Sequence, residues 1–451
     1  MTRRLNLTDM PASSAATRVV EQLKAGDCSA RVNAQQLLET VRQKEPQVQA
    51  WTCLDPDFLL AQADAADRAQ RDGVNMGALH GVPVGLKDII DTAALPTENG
   101  TVLHAGRQPR HDAAVVERLR AAGGLVMGKT VTTELATYAA GKTRNPHNPA
   151  HTPGGSSSGS AAAVAAGMVA LAIGTQTNGS VLRPASFCGV VGYKPSFGWI
   201  SRRGILRQSP ALDQVGVFGR SVEDVALLAQ CLVGYDRHDP ATRPRAAPPL
   251  LATARSAVPR APTFGFLRTA QWDRVAPDAQ AAFLKLAQTL AGQISDCELP
   301  AAAAGVLESH RLVMEADIAT SFDDEYQRGR DRLSHSLRAQ IERGQGVTAR
   351  DYRKALERQE PVAAACDDML EQFDAILTPA TLGTAPEAGE GTGDPVMCTL
   401  WTFTGQPAIS LPLLQGANGL PIGVQLVGRR DDDARLLRTA QWLARAAAPA
   451  G

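Results

Sequence analysis

Thr152-Pro153-Gly154-Gly155-Ser156-Ser157-Ser158-Gly159-Ser160 runs directly into an alanine-rich stretch, Ala161 to Gly167. An apolar run, Val169 to Ile173, comes next and is followed by Gly174-Thr175-Gln176-Thr177-Asn178-Gly179-Ser180-Val181-Leu182-Arg183-Pro184. Glycines permit sharp backbone turns, and serines at a helix start bring hydroxyls beside free N–H groups. The first segment therefore predicts a loop opening a helix. The second lies just beyond a predicted strand end, where open α/β sheets hold their ligands. A Gly/Ser run alone reads as an ordinary capped loop; it gains meaning from what surrounds it.

Upstream, Val82 to Leu86 and Leu125 to Met127 are further short apolar runs, alternating with Ala-rich helical stretches and glycine punctuation. That alternation predicts an α/β layer with a largely buried sheet from Val82 to Val191. The first eighty residues carry helical periodicity (Val19, Val20, Leu23; Leu37, Leu38, Val41; Leu59, Leu60), broken at Gly26 and Pro56. Residues 235 to 262 are rich in Pro, Arg and Ala, and the chain from there to Asp374 reads as mainly helical with charged faces. Strand-like runs return at Ala375 to Leu377, Ala408 to Leu411 and Ile422 to Val427, before an amphipathic helix from Asp433 to Ala446. The expected organisation is a first core part (1–235), a linker and helical insertion or cap (236–374), and a C-terminal core part (375–451).

Composition narrows the function. Lys plus Arg and Asp plus Glu both count 46 in 451 residues. The absence of net charge argues against nucleic acid or an anionic bilayer as partner. The seven cysteines are odd in number and scattered, with no CxxC pair, and read as reduced thiols rather than a zinc site. No metal and no cofactor is expected. Arg3 and Arg4 are not followed by an apolar segment, and the longest weakly polar run, Ala161 to Gly174, is too short to span a bilayer. A cytoplasmic protein is the expectation.

Three signals are set aside. Gly123-Gly124-Leu125-Val126-Met127-Gly128-Lys129-Thr130 matches a phosphate-binding loop formally, but its middle is apolar and reads as strand. A non-enzymatic nucleotide-binding protein built on it would be stabilised by nucleotide in a thermal shift assay. His147 and His151 are flanked by prolines that exclude a shared metal-binding helix. Cys188 could suggest a nitrilase-like thiol, but no base is assigned to it.

Taken together with Gly81-Val82-Pro83-Val84-Gly85-Leu86-Lys87-Asp88, the two Gly/Ser segments resemble the amidase signature family. So do Arg144-Asn145-Pro146-His147-Asn148-Pro149, Phe187-Cys188-Gly189-Val190-Val191-Gly192-Tyr193-Lys194-Pro195 and Gly419-Leu420-Pro421-Ile422-Gly423-Val424-Gln425. The resemblance covers most of the chain outside residues 235 to 370. It implies a large mixed sheet flanked by helices on both faces, and a hydrolase cutting amide-type C–N bonds. Lys87 matches the family's catalytic lysine, Ser156 its bridging serine on a cis peptide bond, and Ser180 its nucleophile. The chemistry is coherent: a serine hydroxyl needs a base to take its proton, and lysine serves only if burial makes it neutral. The unfavourable reading of Lys87 is a surface lysine paired with Asp88.

The resemblance further implies an oxyanion hole from the backbone of Thr177, Asn178, Gly179 and Ser180, with Gln176, Arg183 and Tyr138 as candidate substrate contacts. This chain departs from the usual pattern: Gln176 replaces an Asp, Asn178 replaces a Gly, and Arg183 stands three residues after Ser180 instead of two. That register resembles members acting on small carboxylated amides, such as malonamidase, where the guanidinium could clamp a carboxylate. An arginine holding a structural carboxylate or backbone carbonyls is the competing reading. The expected partner is a small-molecule amide or carbamate substrate, with a homodimer left open. Carbamate (urethane) or ureide hydrolysis by the same triad, and an amidotransferase subunit needing a partner, are the functional alternatives.

Overall fold

The computed structural model describes residues 15–74 and 77–447; Arg3 and Arg4 lie outside them. Eleven strands form a single mixed sheet. In chain order they are β1 (Trp51–Cys53), β2 (Pro83–Lys87), β3 (Leu125–Thr130), β4 (Leu171–Gln176), β5 (Val191–Lys194), β6 (Gln214–Gly219), β7 (Phe264–Leu267), β8 (Ile294–Cys297), β9 (Ala375–Pro379), β10 (Ala408–Gln415) and β11 (Pro421–Val427). Their order across the sheet is β1-β3-β2-β4-β6-β5-β10-β11-β9-β7-β8. β2 runs parallel to both β3 and β4, and β7 parallel to both β8 and β9; the other neighbours are antiparallel.

The interior strands β2, β3, β4, β5, β6 and β9 are buried along their whole length, as strands covered by helices on both faces must be. This is why β2, β3, β4 and β9 read as short continuous apolar runs instead of alternating ones. At the edges the pattern changes: β8 has no buried residue.

The N-terminal helices appear where periodicity placed them, at Ala16–Ala25, Ala30–Val48 and Pro56–Arg71. Gly26 closes the first in the left-handed region at φ 79°. Ser29 and Asp55 cap the next two through side-chain oxygens accepting from Val32 N and Phe58 N. The last helix, Asp433–Ala446, has the expected bounds.

Residues 236–374 contain the expected helices, chiefly between Val306 and Met369, but also supply β7 and β8 to the common sheet. The run Phe264-Gly265-Phe266-Leu267 is buried throughout and pairs with β9. Its four residues, set among Pro and Arg, are too short a signal against the helical background. The nucleotide-loop match is likewise resolved by the fold, since Leu125 to Thr130 is β3 itself. Lys129 there is buried, donating to Asp88 Oδ1 at 3.0 Å and Thr97 Oγ1 at 2.6 Å. Among the described residues no helix is long and apolar enough to cross a membrane, and no cluster of His, Cys, Asp or Glu could hold a metal ion.

Candidate active site

Parallel pairing of β2 with β4, in the register Leu86 to Ile173, brings the C-terminal ends of the two strands together. Lys87 ends β2 and Gln176 ends β4, so the lysine meets the chain just before it turns towards Ser180. Lys87 Nζ lies 2.9 Å from Thr175 Oγ1 and 2.6 Å from Ser156 Oγ. Its side chain is fully buried (0 %). Asp88 is turned to Lys129, which leaves Lys87 with no carboxylate partner among the described residues. Burial drives its pKa well below that of an ordinary lysine, against a smaller opposing pull from Asp213; the nearby Arg183 charge adds to the lowering. The surface-lysine reading is thus overturned.

Ser156 is carried on the loop between β3 and the helix Ser158–Ala165, and the Gly155–Ser156 bond is cis. The neighbouring serines hold this loop. Ser158 Oγ donates to Gly154 O at 2.8 Å, Ser157 Oγ to Thr175 O at 3.2 Å, and Ser160 Oγ to Ile173 O at 3.1 Å. Gly154 sits at φ 82°, and Gly174 allows the helix start to approach β4, since a Cβ there would lie 2.6 Å from Ser157 Oγ. The Gly/Ser composition is therefore one device: several serines fasten the loop so that Ser156 alone faces Lys87.

Ser180 stands at the turn between β4 and the helix Leu182–Cys188 and is 8 % exposed. Its hydroxyl has no hydrogen-bond partner among the described residues, so it is free to meet an incoming group. The backbone N–H groups of Asn178, Gly179 and Ser180 find no protein acceptor among the described residues either, as an oxyanion site requires. Fixed contacts surround this turn. His310 Nε2 donates to Thr177 O at 2.9 Å, Thr402 Oγ1 to Asn178 O at 2.5 Å, and Asn178 spans Tyr138 OH (3.1 Å) and Thr399 Oγ1 (2.7 Å). Burial lowers the His310 pKa to about 4, so the ring is neutral and keeps its Nε2 hydrogen for the carbonyl.

Two expected substrate contacts are corrected. Gln176 is fully buried; Oε1 accepts from Val181 N (2.8 Å) and Leu182 N (3.0 Å), and Nε2 donates to Thr402 Oγ1 (2.9 Å). It caps the turn that carries Ser180, a role open to any acceptor at the end of β4. Arg183, 1 % exposed, donates NH2 to Gly155 O at 2.7 Å and NH1 to Gly393 O. Its fork ends on backbone carbonyls and braces the Ser156 loop, which is the competing reading given above. Tyr138 lines a cavity of about 520 Å3 with Phe187, Thr392, Gly393 and Asp394. A second cavity, of about 310 Å3, is lined by Thr175, Thr177, Gln208 and Asp213. A third concavity, of about 990 Å3, lies between Phe197, Gln359 and Arg430 and is not lined by Lys87, Ser156 or Ser180.

The residues set aside earlier are accounted for. His147 Nε2 contacts Cys188 O at 2.9 Å, and His151 Nδ1 contacts Ala385 O at 2.7 Å. Cys188 is buried, and burial raises its thiol pKa. His310, Thr399 and Thr402 had no mark in the sequence, because each reaches the site through the fold, and Thr175, inside the second Gly/Ser segment, carried no sign of its contact with Lys87.

Known proteins share this fold. The amidase family model matches residues 33–437. The chain is 33 % identical to a glutamyl-tRNA(Gln) amidotransferase subunit of Rhodopirellula baltica, over 94 % of both chains, and 33 % identical to its counterpart in Symbiobacterium thermophilum, over 94 % of this chain and 95 % of the other. Among solved structures, 6-aminohexanoate cyclic dimer hydrolase superposes with a TM-score of 0.86 at 27 % identity, covering 97 % of each chain. The native peptide amidase of Stenotrophomonas maltophilia gives 0.84 at 29 %, covering 96 % of this chain and 97 % of the other. The chain belongs to the amidase family, and its chemistry is the hydrolysis of amide-type carbon–nitrogen bonds.

Proposed function

We propose that Ser180 is the nucleophile of an acyl-enzyme reaction in which Lys87, neutral in its ground state, takes the proton through Ser156. The observation that carries this is a lysine amine with no carboxylate partner, buried 2.6 Å from the Ser156 hydroxyl. Ser180 Oγ attacks the substrate carbonyl carbon while its proton passes to Ser156 Oγ and the Ser156 proton to Lys87 Nζ. The carbonyl oxygen gains negative charge opposite the N–H groups of residues 177–180. When the C–N bond breaks, the proton returns from Lys87 through Ser156 to the leaving nitrogen, and a water molecule then releases the acyl group by the same relay. The engagement of Arg183 with two backbone carbonyls supports a neutral acyl group over a carboxylated one. The same steps would serve a carbamate or ureide, because only the leaving group and pocket differ. The test is a hydrolysis screen of amides, aryl amides, ureides and carbamates with the wild type and Ser180→Ala. Turnover of one class that vanishes in Ser180→Ala while the fold persists is expected; retained activity would remove Ser180 from the reaction.

A second reading, an amidotransferase component that delivers ammonia to a partner enzyme, draws on the amidotransferase relatives that match nearly the whole chain. Gln176, Asn178 and the position of Arg183 depart from the pattern common in the family and weigh against it. Amide hydrolysis by the purified chain alone decides between the two.

A further inference from the structure

One hydroxyl beside the oxyanion turn faces two acceptors. Thr177 Oγ1 lies 2.7 Å from Gln208 Oε1 and 2.7 Å from Asp213 Oδ1, yet it has a single hydrogen to give. The Gln208 amide cannot be reversed to relieve this, because its Nε2 donates to Leu135 O at 3.0 Å and reversal would set two carbonyl oxygens against each other. The other Asp213 oxygen is occupied: Oδ2 accepts from Gln208 N and Ser209 N, each at 2.9 Å. With Asp213 ionised, two oxygen acceptors would compete at 2.7 Å for one hydrogen. A hydrogen on Asp213 Oδ1 satisfies every atom.

Building on the Lys87 base reading, we infer that Asp213 is a protonated carboxylic acid in the reactive state, donating to Thr177, which donates to Gln208, which donates to Leu135. Two consequences concern the reaction. The chain of donors fixes Thr177, whose backbone begins the oxyanion turn. It also withholds a negative charge from Lys87: an Asp213 carboxylate raises the lysine pKa, and a lysine that keeps its proton is no base. Asp213 is thus a positioning residue that acts through Thr177 and Lys87. Burial pushes its carboxyl up to about 6, against the hydrogen bonds from Thr177, Ser209 and Gln208 and the charge of Arg202, all of which favour ionisation. Arg202 is itself paired with Asp239 at 2.8 Å. Arg203, Arg207 and His238 also line the cavity beside it, so the proton is held against a largely basic surround by the geometry of the hydroxyl.

The test uses the whole protein. Infrared spectra of Ser180→Ala, recorded across pH, are compared with Ser180→Ala/Asp213→Asn. A protonated carboxylic acid C=O band present in the first, absent in the second and persisting at the pH where the wild type is most active is expected; a band lost below that pH overturns the inference. A band titrating near the ordinary aspartate value of about 3.9 overturns the inference. In active protein, Asp213→Ala should lower kcat/KM by tenfold or more, and Asp213→Asn, which keeps a donor for Thr177, should recover most of that loss without moving the acid limb of the pH–rate profile. An acid limb displaced downward by Asp213→Asn would mean that the wild type carries a carboxylate there, and would equally overturn it. The infrared result does not depend on Ser180, Ser156 or Lys87 performing their proposed roles, so its failure is separable from theirs.

Discussion

The fate of one proton decides what Lys87 can do. In the unfolded chain the amine stays protonated up to about pH 10.4, whereas in the fold burial lowers its pKa far below that. Between the two values the unfolded state binds more protons, so unfolding becomes harder as pH rises. Denaturant titrations at a series of pH values should show a rise in stability through this window that Lys87→Met abolishes; a parallel profile in the variant would mean that the lysine is charged in the fold. The rate of acylation should climb through the lowered lysine pKa and level off well before pH 10, and a rate still rising steeply there would exclude Lys87 as base. Lys87→Ala and Ser156→Ala should each lower kcat/KM by on the order of 10²- to 10⁴-fold. The double variant should be no worse than the poorer single one, since residues of one relay fail together; losses that multiply would separate them. Lys87, Ser156 and Ser180 were nominated because each sits inside a contiguous motif, an apolar strand run for Lys87 and Gly/Ser turns for the two serines. Thr175 lay in plain view in the same motif, but nothing local assigns it to Lys87. That contact exists only because β2 and β4 end side by side.

Each element near the site is set by a side chain that bonds to backbone rather than to substrate. Gln176 holds Val181 and Leu182 N–H groups, and Arg183 holds the carbonyls of Gly155 and Gly393. Lysine at 183 would carry the charge without the two-pronged geometry. Arg183→Lys should therefore lower hydrolysis of neutral and carboxylated amides together and reduce stability by about 1–3 kcal/mol, the cost of buried carbonyls losing a donor. A selective loss on the carboxylated substrate would restore the clamp reading. The sequence could name this arginine but could not aim it, because the carbonyl of Gly393 is 210 residues away. Elements show the same division. β2, β4, β9, β10, β11 and the helix Asp433–Ala446 stood out through long apolar runs or clear periodicity. β1 and β8 are short edge strands, only partly buried or not buried at all, and left no apolar run to read. β6, Gln214-Val215-Gly216-Val217-Phe218-Gly219, is broken by Gly216 and ended by Gly219, a pattern easily taken for loop.

Across the molecule, the sheet interleaves early and late chain. β5 lies between β6 and β10, so the C-terminal strands are built onto the half that carries Lys87, Ser156 and Ser180. The helix Val396–Phe403, which precedes β10, then lies against the turn that carries Ser180. Its Thr402 hydroxyl accepts from Gln176 Nε2 at 2.9 Å and donates to Asn178 O at 2.5 Å, across 226 and 224 residues of sequence. One hydroxyl thereby joins the cap of the turn to the peptide unit whose N–H side is to receive the oxyanion. Valine has nearly the same shape and neither bond. Thr402→Val should leave two buried polar groups, Gln176 Nε2 and Asn178 O, without this partner, at a cost of about 1–3 kcal/mol each as an upper range. The turn would then keep its place through Thr399 and His310 but lose its fine position, and oxyanion donors act only where the geometry is already set before the charge develops. The expected result is a fall in kcat of at least tenfold with KM nearly constant, measured on whichever substrate the screen identifies. Equal changes in kcat and stability-limited active fraction, checked by titrating active sites, would show that Thr402 serves folding alone.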